Sequence, residues 1–296
     1  MSVAVQPARL MRIGITMGDP AGVGPEVTRA ALAQLDGLAD WVIFGPEALY
    51  PAVVARFEGC EGPRDAIERA AAALASGEVD GVVTAPVSKS CFGGDFPGHT
   101  ELFAARLGVE RVVMMMAGPR LRTVPATTHL ALRDVAASVT TDLLVRTTRI
   151  VADALRVDFG IPGPRLALAA LNPHAGDGGL FGDEEARVLA PAVEALRAEG
   201  LDVSGPASPD TVYHQALAGR FDAVVAPYHD QALIPFKLVH FSDGVNVTLG
   251  LPRPRTSPDH GPAYDIAGRG VADPTSMIRA ITMAVEMAAR RAMERA

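Results

Sequence analysis

Short apolar runs with strand character alternate with amphipathic stretches from one end of the chain to the other. The pattern predicts strands at 12–16, 41–45, 81–84, 111–116, 123–127, 165–171, 222–226 and 245–249. Between them apolar residues recur at helical spacing over 24–36, 65–76, 142–156, 184–198 and 210–219, and a last helix is predicted over 274–295. Thr141 and Asp142 offer a cap at the start of 142–156. Strands and helices in this alternation predict parallel βαβ units, an α/β fold whose sheet is covered by helices on both faces. No internal repeat, low-complexity tract or Ser/Gly-rich linker interrupts the pattern.

Three of these strands finish alike. "RTVPATTH" ends on His129, "RLALAALNPH" ends on His174, and "AVVAPYHD" runs into His229 and Asp230, with Lys237 following. For a single strand, a polar residue opening a loop is explanation enough. Ligands of open α/β sheets, however, bind at the carboxyl ends of the strands. Three neutral imidazoles arriving there would make a sufficient set for a catalytic divalent metal with one position left open. Both readings stand at this level, because the spacing is long-range and no local motif decides between them.

The first strand-turn-helix, "GITMGDPAGVGPE", is glycine-rich but lacks the G-x-G-x-x-G fingerprint of dinucleotide folds. Pro20 and Pro25 also remove two amide donors from any phosphate cradle. The expectation is a tight βα turn with Pro25 in the first helical turn.

Composition narrows the function classes. The 296 residues are 49% hydrophobic and 21% charged, ordinary for a globular chain with a sizeable core. A net charge of −7 without any Lys/Arg block argues against nucleic acid, and 5% aromatics leave no base-stacking platform. Only Cys60 and Cys91 are present, and they form no C-x-x-C pair, which favours a reducing compartment. The first residues lack a signal-peptide layout, and no apolar run approaches the length of a membrane span. A soluble cytoplasmic protein without membrane or nucleic-acid partners is expected.

Two further segments carry candidate chemistry. In "FPGHTELFA", His99 and Thr100 sit at a predicted helix start, where free amides, a hydroxyl and an imidazole suit an anion; a simple capped helix start is the alternative. The stretch "NVTLGLPRPRTSPDHGPAYDIAGRGVADP" carries Asn246, Arg253, Arg255, Asp259, His260 and Asp265 among glycines and prolines, and reads as a ligand-binding loop. Arg255, fixed beside prolines, suits a carboxylate or phosphate. His214 and His240 read as structural, and Asp210 as a helix N-cap.

Taken in order, "MGDPAGVGPE", "GHTE", "TTHLAL", "LNPHAGDGGLFGDEE", "PDTVYH", "YHDQ", "VNVTLGLPRPRTSPDHG" and "DIAGRG" run over essentially the whole chain. Together they resemble the 4-hydroxythreonine-4-phosphate dehydrogenase family. The resemblance implies a two-domain α/β/α sandwich of the isocitrate/isopropylmalate dehydrogenase type with an active-site cleft between domains. By analogy, residues 1–120 with 245–296 form the cofactor-binding domain, and 121–244 the metal, substrate and dimerisation domain. It further implies a homodimer with active sites at the interface, and NAD-dependent oxidation with decarboxylation of a phosphorylated 3-hydroxy acid in the pathway to pyridoxal phosphate. One divalent metal per site (Zn, Mg, Mn, Co or Ni) is implied on His129, His174 and His229. Substrate contacts are implied at His99, Thr100, Lys237, Asn246 and Arg255, and catalytic assistance at Lys237, Asp210 and Asp230.

"HGPAYDIAGRGVADP" separately resembles the adenosine-binding loop of the isopropylmalate dehydrogenases. This implies cofactor contacts at His260, Gly261, Asp265, Ile266, Ala272 and Asp273, with the Asp265 carboxylate favouring NAD over NADP. Ala232 stands where the family pattern has glycine. "IPFKL" and "AGRGVAD" are closer to relatives oxidising terephthalate dihydrodiol or D-threonate and D-erythronate 4-phosphates, whereas "GHTE" favours a phosphorylated substrate. A metal-dependent hydrolase using the same histidines is the remote alternative.

Overall fold

The computed structural model describes residues 9–92, 94–96 and 98–295; residues 1–8, read above for a secretion signal, lie outside the described residues. Among the described residues eleven strands form one sheet: β1 (Arg12–Thr16), β2 (Asp40–Phe44), β3 (Arg56–Glu58), β4 (Gly81–Thr84), β5 (Val113–Ala117), β6 (Arg122–Thr127), β7 (Arg165–Ala169), β8 (Asp202–Ala207), β9 (Ala223–Tyr228), β10 (Val245–Leu249) and β11 (Arg255–Pro258). The helices are α1 (Gly24–Gln34), α2 (Pro63–Ser76), α3 (His99–Arg106), α4 (Leu132–Ser138), α5 (Thr141–Val157), α6 (Ala190–Ala198), α7 (Val212–Leu217), α8 (His229–Val239) and α9 (Thr275–Arg295). The strand order is β3-β2-β1-β4-β11-β10-β5-β6-β9-β7-β8. Pairing is parallel in both wings, while β11–β10, β10–β5 and β5–β6 are antiparallel. The mixed α/β fold therefore changes direction at its centre rather than at an edge.

Period-two alternation explains how both faces are used. In β2, Trp41 and Ile43 enter the largest core while Val42 and Phe44 enter a second core on the opposite face. In β9, Ala223 and Val225 join the largest core, and Val224 and Ala226 join a third. The largest core is covered by α1, α5, α6 and α9. Helix α5 shows why: its buried Leu144, Val145, Thr148, Val151, Ala152 and Leu155 recur at helical spacing along one stripe. On the other face, α2 and α3 cover one wing and α7 and α8 the other. A cavity of about 890 Å³ is lined by residues of β11, β10 and β5 together with α3 and α8.

Several elements differ from the sequence reading. Thr140, not Thr141, caps α5, accepting from the Leu143 amide at 3.1 Å. The stretch 184–198 opens as a π-helical turn over Glu185–Leu189 before α6. Asp210 is no N-cap: α7 starts later, and the Ser208 carbonyl takes the Val212 amide at 3.1 Å. The predicted loop around Arg255 is strand β11, buried at all four positions and paired to β4 and β10. Its arginine and proline hide it from a hydrophobicity reading. Among the described residues no helix is long and apolar enough to cross a membrane.

One ion pair ties the C-terminus of α5 to α9. The fully buried Asp158 receives Arg291 Nε and, at 2.8 Å, the second guanidinium nitrogen. Asp158→Ala strands a mostly buried guanidinium and is expected to cost about 3–5 kcal/mol, read as a lower urea midpoint at unchanged slope.

Candidate active site

Alternation that sends apolar side chains to the large core sends polar ones into the cavity. On β10, Val245, Val247 and Leu249 are core, while Asn246 and Thr248 take the other face. On β11, Thr256 bonds Ala280 of α9, so Arg255 and Ser257 point oppositely, beside Thr84 of β4. The cavity is thus floored by the central strands and flanked by α3, bringing His99 and Thr100, and by α8, bringing His229 and Lys237.

Arg255 is buried, and its guanidinium donates to Thr248 Oγ1 at 3.1 Å and to Thr84 Oγ1. Burial pulls its pKa down to about 9, only partly offset by Glu101. Arg255 Nε, His99 Nε2 and Asn246 Oδ1 are buried with no hydrogen-bond partner. His99 packs edge-on to Phe92 at 5.1 Å, and burial together with the Arg255 charge holds its pKa well below 6.5. A neutral imidazole, a guanidinium and an amide oxygen, each with unused hydrogen-bonding capacity, thus line the same cavity. Lys237 Nζ lies 3.0 Å from Asp259 Oδ2 and 3.3 Å from the Asp259 carbonyl. Burial raises the Asp259 pKa against the opposing pull of Lys237.

His129 and His229 stand together at the cavity edge, ring centroids 5.7 Å apart. Strands β6 and β9 are neighbours in register, so their ends deliver both rings to one place. His229 Nδ1 lies 2.7 Å from Asp230 Oδ1. A carboxylate on Nδ1–H fixes the tautomer and leaves the Nε2 lone pair available, so Asp230 orients its neighbour. His174 is elsewhere: its Nδ1 is 3.8 Å from Asp210 Oδ2, and it does not line the cavity. Among the described residues no group of three potential metal ligands assembles within the single chain. The donor chemistry suits a divalent ion, but this chain alone brings two of the three histidines together.

Both His129 and His174 adopt the left-handed backbone region, at φ 51° and 52°. His174 opens a run in which Ala175, Gly176, Asp177 and Gly178 are also left-handed. Such conformations cost about 1–3 kcal/mol each at non-glycine residues and persist only when surroundings impose them. The imposing group is Glu185, whose buried carboxylate accepts the amides of Leu171 at 2.9 Å and Asn172 at 2.8 Å, and Asn172 Nδ2 at 3.0 Å. Sequence reasoning passed over Glu185; "GDEE" reads as an ordinary acidic helix start.

The segment from His260 to Asp273 contains no helix or strand and folds over the β1–α1 turn. Asp265 is exposed, as a residue meeting a ligand's hydroxyls requires, whereas Ile266 and Ala272 lean on the large core. Asp273 is occupied locally, accepting from the Thr275 amide at 2.9 Å and its hydroxyl at 2.6 Å. His260 Nδ1 lies 3.0 Å from the Gly261 carbonyl, and both residues line the cavity. His240 is buried against Phe236 and bonded to Asp243 at 2.9 Å, structural as expected.

The family model described as pyridoxal phosphate biosynthetic protein PdxA matches residues 58–284. A 4-hydroxythreonine-4-phosphate dehydrogenase of Geobacter metallireducens is 46% identical over 94% of this chain and 95% of its own. The crystal structure of the Klebsiella pneumoniae enzyme of that name superposes with a TM-score of 0.82 at 36% identity, covering 94% of this chain and 99% of that one. A terephthalate 1,2-cis-dihydrodiol dehydrogenase from Burkholderia xenovorans reaches 0.68 at 29% identity, over 94% and 98% of the two chains. The chain belongs to the PdxA family of pyridoxal phosphate biosynthetic proteins.

Proposed function

We propose that the chain is an NAD- and divalent-metal-dependent dehydrogenase that oxidises and decarboxylates 4-phosphohydroxy-L-threonine, on the route to pyridoxal phosphate. Family membership makes it an oxidoreductase acting on a CH–OH group. The observation that carries the substrate reading is the buried anion pocket of Arg255, His99 and Asn246, whose three unpartnered polar atoms match a phosphate's need for donors and a substrate hydroxyl's for an acceptor. Thr100 at the start of α3 adds a hydroxyl on the same wall.

His129 and His229 would hold the metal from this chain, and His174 of the partner subunit would complete the set. The support is geometric. Each of the three histidine segments exposes large apolar side chains: Leu130 and Leu132 after His129, Leu180 and Phe181 after His174, and Ile234, Leu238 and Phe241 along and just after α8. Apolar surface of that extent rarely stays wet, and a two-fold pairing would bury it while bringing each His174 to its neighbour's pair. On this reading β1–β5, β10 and β11 make the cofactor domain and β6–β9 the metal domain of an isocitrate/isopropylmalate-type fold, since each set is contiguous in the sheet. The cytoplasm is its setting, where Cys60 and Cys91 stay free thiols.

When bound, the ion supplies Lewis-acid charge at the substrate hydroxyl and the nicotinamide accepts a hydride. The protein's residues do the rest. Arg255 and His99 anchor the phosphate, and Asn246 orients the polar groups beside it. Lys237 takes the hydroxyl proton after passing one to Asp259, whose burial-raised pKa makes it a better acceptor than an exposed carboxylate. Loss of hydride and proton gives a β-keto acid; loss of CO₂ leaves an enolate, which the same Lys237 reprotonates. Asp230 holds the His229 ring, and Asp210 stands against His174. Asp265 accepts both ribose hydroxyls and repels a 2′-phosphate, favouring NAD.

A second reading changes only the substrate, to D-threonate or D-erythronate 4-phosphate or a cis-dihydrodiol; the likeness to the terephthalate dihydrodiol enzyme favours the latter. NADH production is measured with each substrate, with and without chelator. Chelator-sensitive turnover of the phosphorylated amino acid alone is expected; turnover of only a sugar acid or diol moves the pathway, and silence with all overturns the dehydrogenase reading.

The shared metal site predicts complementation. His174→Ala and His229→Ala chains, each inactive, regain roughly a quarter of wild-type activity when mixed and allowed to exchange subunits, because one site per mixed dimer is intact. A site built within one chain gives no recovery. Asp230→Asn, which loosens the His229 ring, is expected to weaken metal affinity about 10–100-fold, measured by competition with a chelating dye. Arg255→Gln is expected to raise KM for the phosphorylated substrate at least about thirtyfold, the lower end for removing a buried charge from an anion contact. The same variant should move the His99 titration upward, because a repelling cation is gone, yet leave it below 6.5, because burial remains; ring-nitrogen NMR against pH reads this directly.

A further inference from the structure

The glycine-rich turn between β1 and α1 supplies none of the residues named above for the phosphate or metal, yet it is built to closer tolerances than a simple connection needs. A Cβ at Gly22 would stand 2.7 Å from both Cβ and the carbonyl oxygen of Pro262, so only glycine lets the two segments meet. The Val23 amide then donates to the Pro262 carbonyl at 2.8 Å. Two acids of the turn reach further along the same loop. Asp19 accepts the Tyr264 hydroxyl at 2.6 Å while its other oxygen takes the Ala21 amide at 3.0 Å. Glu26, in the first turn of α1, accepts the Gly268 amide at 3.0 Å and the Ala272 amide at 3.5 Å.

The loop has little structure of its own to set against these contacts. Its internal backbone bonds are two turn closures, Ile266 to Ala263 and Arg269 to Ile266, both at 3.2 Å. Gly268 and Gly270 are left-handed, at φ 73° and 70°, and Ala263 is left-handed at 45°. A segment so rich in conformational freedom keeps one shape only if outside contacts impose it. Those contacts bracket Asp265: Pro262 and Tyr264 before it, Gly268 and Ala272 after it.

We propose that Glu26, with Asp19, is a positioning residue for the cofactor: it clamps the 262–272 loop from the β1–α1 turn and so pre-forms the surface that receives the adenosine half of NAD. The proposal rests on the reading of Asp265 as the ribose acceptor. Without the clamp the ordering entropy of the loop is charged against nucleotide binding, so affinity falls while chemistry in the fully bound complex is preserved. Glu26 touches neither cofactor nor substrate and has no part in hydride transfer.

The test uses the full-length enzyme and NADH, followed by fluorescence titration, together with steady-state kinetics in NAD and hydrogen exchange of the loop. Glu26→Ala is expected to raise the NADH Kd and the KM for NAD about ten- to a hundredfold, the range for losing amide bonds to a charged acceptor. The kcat at saturating NAD and the KM for the phosphorylated substrate stay within about threefold, and amides of 262–272 exchange faster while the sheet does not. Glu26→Gln keeps an acceptor oxygen and recovers most of the affinity. Gly22→Ala, which displaces Pro262 with Glu26 intact, weakens NADH in the same way and stands in should Glu26→Ala fold poorly. An Asp265→Ala control separates the two readings. If it weakens NADH while Glu26→Ala and Gly22→Ala bind as wild type, the clamp is overturned and the loop assignment survives. If Asp265→Ala binds as wild type, the loop assignment fails and takes the clamp with it.

Discussion

A guanidinium buried in the middle of a sheet sets the terms for this molecule. Arg255 belongs to β11, and its hydrogen bonds to Thr248 and Thr84 bridge the strands on either side. Two hydroxyls are poor compensation for a desolvated cation, and Glu101 is the opposing charge that acts on it. The fold thus carries an unfavourable charge where β11, β10 and β5 change direction. On the proposed reading, the anionic substrate is what offsets that charge. His99 is affected likewise: burial first, and then the Arg255 charge, disfavour its imidazolium and keep the ring neutral in the cavity.

Strain is distributed the same way. The left-handed backbone of His129 and the left-handed run from His174 lie just beyond the ends of β6 and β7, where the chain leaves the sheet. In the His174 segment the strain is held by a buried carboxylate, Glu185, that collects three N–H donors from the two residues preceding the turn.

Much of the architecture was legible because strands and helices here obey their periods. The runs at 12–16, 81–84, 165–171 and 245–249 appear as strands within a residue or two, and α5 and α9 appear as amphipathic helices. What stayed hidden shares a cause: local chemistry overrode the pattern. "RPRTSP" reads as loop because arginine and prolines mask a four-residue buried strand. Helix α8 reads as loop because Pro235 interrupts its interior and because β9 passes into it with Tyr228 as the extended N-cap. The three histidines were visible as strand ends, but strand ends alone do not say which of them meet. Register settles part of it. β6 and β9 pair directly and bring His129 and His229 together, whereas β7 ends in a turn that carries His174 to Asp210. Asp273, expected as a cofactor contact by resemblance, accepts local bonds from Thr275.

The glycines of "MGDPAGVGPE" show most plainly what sequence reading can miss. In the G-x-G-x-x-G fingerprint, glycines admit a pyrophosphate to backbone amides at a helix start. Here the same residue type, at the same point of a βα unit, admits polypeptide: Gly22 makes room for Pro262, and the Val23 amide meets its carbonyl. Prolines at 20 and 25, which argue against a phosphate cradle, are harmless to this arrangement because the donors it uses belong to Ala21 and Val23 and the acceptors to Asp19 and Glu26. Absence of a cofactor fingerprint at the first turn is therefore no sign that the turn is idle. It serves the C-terminal loop, some 240 residues away in sequence, whose conformation it dictates.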